Sequence, residues 1–285
     1  GRTALVYDGV SWEVANINQQ PDFMDVWVLN SSYALAVGTG GRINRYNGSA
    51  WTSHTSNTEK DLNGVWGNAS GSYQFAVGNA GTIVRLDDFD ENTWNDQSGV
   101  TSENLNAVWG YSDSTVYAVG DNGTIIEYDG VSWNTMTSGT AARLNDIRGT
   151  EDSVMFAVSD AGWVLKYDGS WQAVYNLGSV PFNSVWAAAD DDVFVVGDQG
   201  TILHFDGTTW AEQSSGSTTD LLAVWGSDGS HVFAAGRDGL VLSYDGTDWE
   251  PMEQGGLVDI NGLDGLSSTS LFAAGAQNHL LRYSN

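Results

Sequence analysis

The chain has 285 residues, with 35 glycines, 3 prolines and no cysteine, and 41% of its residues are hydrophobic. That content supports a sizeable core and many tight turns, and it excludes disulfides and thiolate chemistry. A formal net charge of −26, from 36 acidic and 10 basic residues, argues against nucleic acid and anionic membrane surfaces as partners.

No apolar run is long enough to span a membrane, so no direct membrane insertion is expected. No basic-then-apolar start is visible in these residues either. Residue 1 opens inside a repeat, which suits a processed or trimmed chain. Only two of the basic residues are lysines, Lys60 and Lys166. A cysteine-free, lysine-poor composition rich in Gly, Asp, Thr and Trp fits the bacterial cell surface or exterior, and that localisation is the expectation.

Read from the N-terminus, the chain opens on a strand-like segment at 3–7 that runs into YDGVSW (7–12) and a second strand at 11–15. Then come VWV (26–28), LAVG (35–38) and YNGSAW (46–51), followed by VWG (65–67), FAVG (75–78) and a swollen LDDFDENTW (86–94). VWG (108–110), YAVG (117–120) and YDGVSW (128–133) come next, then IRG (147–149) and YDGSW (167–171). The series continues with VWA (185–187), VVG (195–197) and FDGTTW (205–210), then VWG (224–226), FAAG (233–236) and YDGTDW (244–249). It ends with LDG (263–265), FAAG (272–275) and a last strand at 279–283. The tryptophans closing the third marker stand at 12, 51, 94, 133, 171, 210 and 249, a period close to 39 residues.

Each unit reads as four short strands rich in Val, Ile, Tyr, Phe and Trp and bounded by Gly, Asn, Asp and Ser. In 104–138 these are LNAVWG, TVYAVG, GTIIEY and SWNTM. Asp129-Gly130 is expected to centre a two-residue hairpin. Four-stranded units at this spacing predict an all-β fold: one domain over 1–285, a seven-bladed β-propeller of antiparallel blades closed by pairing of its N- and C-terminal segments. The simplest closure adds the strand at 11–15 to the blade begun at 260–283. The third-strand copy at 3–7 is then displaced.

These motifs resemble a family of bacterial secreted propeller repeats of the pattern VWG…VFAVG..GTI..YDG..W, which VWGSDGSHVFAAGRDGLVLSYDGTDW (224–249) matches. The wider group includes photosystem II assembly-factor-like and Asp-box propellers. The resemblance implies the fold and leaves the function open. The Asp-box itself is not met, because Asp206 and Trp210 are four apart and glycine follows the aspartate directly. The arginines do not recur as a sialidase-type triad.

Sites are expected where a blade departs from the pattern. Trp163 stands at the start of a third strand where other blades carry Thr82, Thr124 and Thr201, and Arg42 and His279 hold the same place elsewhere. A tryptophan there is a platform for sugar stacking, and Arg or His can bond hydroxyls or a carboxylate. Asn63, Asn106, Asn145, Asn183 and Asn261 share one position on the first strands, with Met24 and Leu222 in the other two blades. They are expected either to ring the channel as amides or to bond the loop entering each blade. Arg148 and Asp264 replace the Trp of the VWG marker in blades four and seven and are candidates for a polar channel feature.

For metal, Asp88, Asp90 and Asn92 alternate in the swollen turn, with Asp96 beyond. They resemble the first oxygens of a calcium loop but lack its glycine and its bidentate Glu, so neighbouring loops would have to help supply about six to eight ligands. No cofactor is required by the sequence, and calcium is the one candidate. No zinc, nucleophile or phosphate-loop motif is present. The leading expectation is an extracellular, non-enzymatic binding propeller for a glycan or a surface protein. A polysaccharide hydrolase or lyase, and a scaffold subunit of a larger surface assembly, stay open, as does the oligomeric state.

Overall fold

The computed structural model describes residues 2–7, 12–17, 22–87, 92–150, 154–252 and 258–284. It is a seven-bladed β-propeller. Six blades are four-stranded antiparallel meanders, with strand order equal to chain order, and the seventh has three hydrogen-bonded strands. The first strands are Phe23–Asn30, Leu62–Gly67, Leu105–Ser112, Leu144–Gly149, Phe182–Ala189, Leu221–Asp228 and Ile260–Ser267. Each lies beside the first strand of the next blade, and the seventh beside the first, so these strands form the inner wall of a closed ring. No α-helix occurs among the described residues.

A blade is hydrophobic on both faces, so the core lies between blades. Two marker residues that look like one motif form this core with different partners. The tryptophan of each VWG marker lies over the glycine of the following blade's marker. A methyl group added at Gly67, Gly110, Gly149, Gly226 or Gly265 would come within 3.0 Å of the indole of Trp27, Trp66, Trp109, Trp186 or Trp225 respectively. The two blades that lack the tryptophan carry Arg148 and Asp264. In the blades that follow them the glycine is replaced, by Ala187 and Val28.

Farther from the axis, the phenylalanine of one blade's second strand meets the Tyr and Trp of the next blade's YDG…W marker. Phe75 lies 5.3 Å from Tyr128 and 5.4 Å from Trp133, and Phe194 lies 5.5 Å from Tyr244. Phe272 meets Tyr46 at 5.6 Å and Trp51 at 6.4 Å across the seventh-to-first seam. The ring therefore closes with the same contact that joins its interior blades. Tryptophans 94, 171 and 249 are buried and 51, 133 and 210 half-buried, as packing residues between blades.

Two details differ from the expectations. Strand Trp12–Ile17 pairs with Arg2–Tyr7 in a separate hairpin, and Arg2–Tyr7 is the strand lying against His279–Ser284. The segment at 11–15 thus does not pair directly as the seventh blade's fourth strand, and 3–7 stands between. A strand with a free neighbour close by in the chain keeps it, because the local hairpin costs less loop entropy than a pairing across the whole chain.

The outer hairpin is also centred one residue later than the Asp-Gly dipeptide suggests. Tyr128 pairs with Trp133, and the Asp129 amide donates to the Ser132 carbonyl at 3.2 Å, which puts Gly130 and Val131 at the tip. Gly130 alone has positive φ, at 92°. The Asp129 carboxylate instead accepts the amides of Val131 and Ser132, at 2.9 and 2.8 Å. Asp206 and Asp245 repeat this arrangement, and these backbone bonds hold all three carboxyls below the usual aspartate range.

Gly226→Ala is expected to destabilise the fold by about 1–3 kcal/mol, because the added methyl must displace a packed indole. Ala187→Gly, at the corresponding place with no indole above it, is expected to cost about 1 kcal/mol or less. Urea unfolding of the two variants checks the contrast.

Candidate functional site

The polar residues of the first strands converge on the axis. They enclose a cavity of about 80 Å³, room for a small number of waters, lined by Asp25, Asn63, Asn106, Asn145, Asp146, Arg148, Asn183, Ser184 and Asn261 together with Met24 and Leu222. The five asparagines are brought together as expected. Each donates its Nδ2 to a carbonyl of the next blade: Asn63 to Leu105 at 2.8 Å, Asn106 to Leu144 at 2.8 Å, Asn145 to Phe182 at 2.7 Å, Asn183 to Leu221 at 2.8 Å and Asn261 to Phe23 at 2.8 Å. Three of these amides also donate to the turn that ends their own blade's second strand, at Asn79, Asp121 and Asp198. They are thus engaged as inter-blade clamps.

Below the asparagines lie two carboxylates that the reading by motifs missed. Asp25 and Asp146 occupy the place where other blades carry Gly64, Ala107, Ser184, Ala223 and Gly262. Asp25 accepts the amides of Val26 at 2.8 Å and of Val65, in the next blade, at 2.9 Å. Asp146 accepts those of Ile147 at 2.8 Å and Val185 at 3.0 Å, and the Ser184 hydroxyl at 2.8 Å. Ser184 in turn accepts the Val224 amide at 3.3 Å. The departure-from-pattern criterion that singled out Arg148 and Asp264 applies equally to these two, so the signal was present in the sequence.

Asp264 accepts the amides of Gly265 at 2.9 Å and Val28 at 2.7 Å, which ties blade seven to blade one. Arg148 reaches into the axial cavity, and its charge acts on Asp25, Asp146 and Asp264 alike. Its Nε is buried with no hydrogen-bond partner, and among the described residues it forms no direct ion pair. One guanidinium therefore offsets three enclosed carboxyls. Burial raises all three carboxyls and outweighs the opposing pull of Arg148 and the backbone amides. Asp25 is raised from 3.8 to about 7 and Asp264 to about 6, and Asp146 moves in the same direction.

The other candidates fall apart in space. Arg42 donates to Asn278 at 3.1 Å across the seventh-to-first seam, and His279 is buried with Nδ1 2.8 Å from the Ala276 carbonyl oxygen. Trp163 belongs to blade four, on the far side of the ring, and is 37% exposed. Of the calcium candidates, Asp88 and Asp90 lie outside the described residues. Asn92 bonds through its backbone carbonyl to the Thr55 amide, and Asp96 accepts the Ser98 amide at 2.9 Å. Among the described residues no group of His, Asp or Glu is placed to hold a metal ion.

The turn face carries a second set of clamps. The residue entering one blade caps the left-handed turn of the blade before it: Asp61 accepts the Gly40 amide at 2.8 Å, Asp220 that of Gln199 at 3.0 Å and Asp259 that of Asp238 at 3.0 Å. Arg237 bridges Asp220 and Asp259 at 3.0 and 3.1 Å. Much of the acidity of this face is therefore engaged in holding backbone amides.

No family model matches the sequence, and no curated protein matches it. Solved structures do share the fold. YCF48 bound to D1 peptide is similar with a TM-score of 0.80 at 16% identity, covering 99% of each chain. YCF48 from Cyanidioschyzon merolae gives 0.77 at 14% identity over 94% of this chain and 97% of that one. The WD40 β-propeller domain of Doa1 gives 0.78 at 13% identity over 93% of each. The resemblance to photosystem II assembly-factor-like propellers is thus met at the level of fold.

The axial carboxyls predict a pH dependence of stability. A carboxyl whose folded value is raised binds protons in the folded state that the unfolded chain has already released, so its contribution favours folding at low pH and is lost as pH rises from 3.8 towards about 7. Between pH 4 and 7 the melting temperature of Asp25→Asn is expected to fall less steeply than that of the wild type. Parallel curves would show that folding does not raise the Asp25 carboxyl.

Proposed function

We propose that this chain is a rigid, non-enzymatic interaction propeller that binds a segment of a protein partner. The observation that carries this reading is the engagement of the axial polar groups. The asparagine amides and the paired oxygens of Asp25 and Asp146 hold neighbouring blades together, so the centre of the ring acts as a frame and leaves recognition to its faces. The likeness in fold to a propeller bound to a peptide supports the same reading. The net charge of −26 favours a partner with basic residues, captured faster at low ionic strength.

A second reading, glycan binding, is favoured by one observation: Trp163 keeps 37% of its surface open on a blade whose turn differs from the other six. An extracellular or cell-surface setting in a bacterium is proposed with it, on the strength of the cysteine-free, lysine-poor composition. Probing a random peptide array and a glycan array with the wild type and Trp163→Ala separates the two readings. Retention of basic peptides, weakened by added salt, supports the protein-binding role. Glycan retention lost in Trp163→Ala replaces it, and turnover of a polysaccharide panel overturns the non-enzymatic reading altogether.

Calcium is proposed as a stabilising ion of the turn containing Asp88, Asp90, Asn92 and Asp96. A chelator is expected to lower the melting temperature, and added calcium to restore it. An unchanged transition removes the ion from the account.

A further inference from the structure

Five of the seven seams are filled by an indole lying over a glycine of the next blade. The two irregular seams differ from each other. Between blades seven and one, Val28 stands where the glycine would be. It is buried, and its amide is held by Asp264. Between blades four and five, Arg148 turns into the axial cavity, and Ala187 brings only a methyl group to the space that an indole fills elsewhere. A groove of about 600 Å³ opens there, lined by Trp109, Gly149, Thr150, Ala187, Ala189 and Asp190. Its Trp109 wall is braced by Tyr111, edge-on with ring centroids 4.4 Å apart. Ala187 is half-buried, as are Gly149 and Gly265 at the same place in two indole-bearing seams, and it differs from them in having Arg148 where they face an indole.

We propose that this groove receives an aromatic side chain, an indole above all, from a peptide segment of a partner protein, so that the partner completes the ring's missing wedge. This rests on the protein-binding reading above and names its site. The argument for the occupant is internal to the molecule, because the same niche in five other seams holds an indole. The rim adds charge complementarity. Asp190 accepts the Thr150 hydroxyl at the edge of the groove and presents a carboxylate, which selects a Lys or Arg beside the aromatic residue. The groove is distinct from the platform at Trp163, which begins the third strand at the opposite end of blade four.

The test is amide NMR of the full chain titrated with three capped dipeptides, Trp-Lys, Trp-Glu and Leu-Lys. Trp-Lys is expected to shift Gly149, Thr150 and Ala187–Ala189 selectively, Trp-Glu to bind several-fold more weakly, and Leu-Lys to leave these signals in place. Ala187→Val, which copies the filled seven-to-one seam, is expected to abolish the shifts. Ala187→Gly, which restores the residue of the regular seams, is expected to keep them. Asp190→Asn leaves the floor intact and should erase the preference for Lys over Glu, so the proposal stays testable if the valine variant does not fold. Shifts that are absent at millimolar dipeptide, equal for Leu-Lys or centred on Trp163 overturn it. Should array peptides bind wild type and Ala187→Val equally, the groove is wrong and the protein-binding reading stands. Should no peptide bind the wild type at all, that reading falls as well.

Discussion

A four-stranded blade with two apolar faces cannot stand in water alone, and everything else in this molecule follows from how one blade is joined to the next. The joint is layered. Amides and carboxylates hold backbone groups of the following blade at the axis, indoles sit over glycines behind them, and phenylalanines meet Tyr-Trp pairs farther out. The layers differ in strength and in what they specify. A buried phenylalanine contributes about 1.5–3 kcal/mol, while a hydrogen bond contributes about 0.5–1.5 kcal/mol net. The apolar layers therefore supply most of the cohesion. The directional bonds set how far each blade is shifted and tilted against its neighbour.

The same division explains why the axis is polar yet engaged. First strands that converge on a narrow channel bring their amides and carbonyls close to a space that holds only a little water. Asparagines at one register position answer the next blade's carbonyls, and aspartates or a serine one position on answer its amides. Where carboxylates do this work, their burial raises their proton affinity, and one arginine moderates the charge that remains. The cluster is thus tuned by its role in assembly, without a substrate being required to explain it.

The fold was legible because the repeat is strict: tryptophans near every 39 residues and glycine-bounded strands leave little room for another architecture. The site was legible only in part. Comparing the same place across blades brought out Asn63 and its four counterparts, along with Arg148 and Asp264. It could not bring out the seams, since Trp186 and Gly226 meet across an offset of one repeat and never appear in the same motif. Asp25 and Asp146 were hidden for a simpler reason. They neighbour the conspicuous asparagine and tryptophan positions, at a place where small residues alternate without an obvious rule. The tip of the outer hairpin was misplaced by one residue because the dipeptide Asp129-Gly130 suggests two positive φ angles. In fact the aspartate serves as an acceptor for the two amides beyond it.

The five indoles of the first strands point the same way around the ring, from a blade to its successor. Each repeat therefore owns half of two different seams, giving a wedge forward and receiving one from behind. A blade is not a self-sufficient module that could be duplicated or exchanged at will. Copying the fourth blade would create a third seam without an indole, and moving the fifth behind a tryptophan-bearing neighbour would drive that ring into Ala187. The unit of this architecture is the junction, and Arg148 with Ala187, like Asp264 with Val28, departs from the regular pair in both halves of one junction.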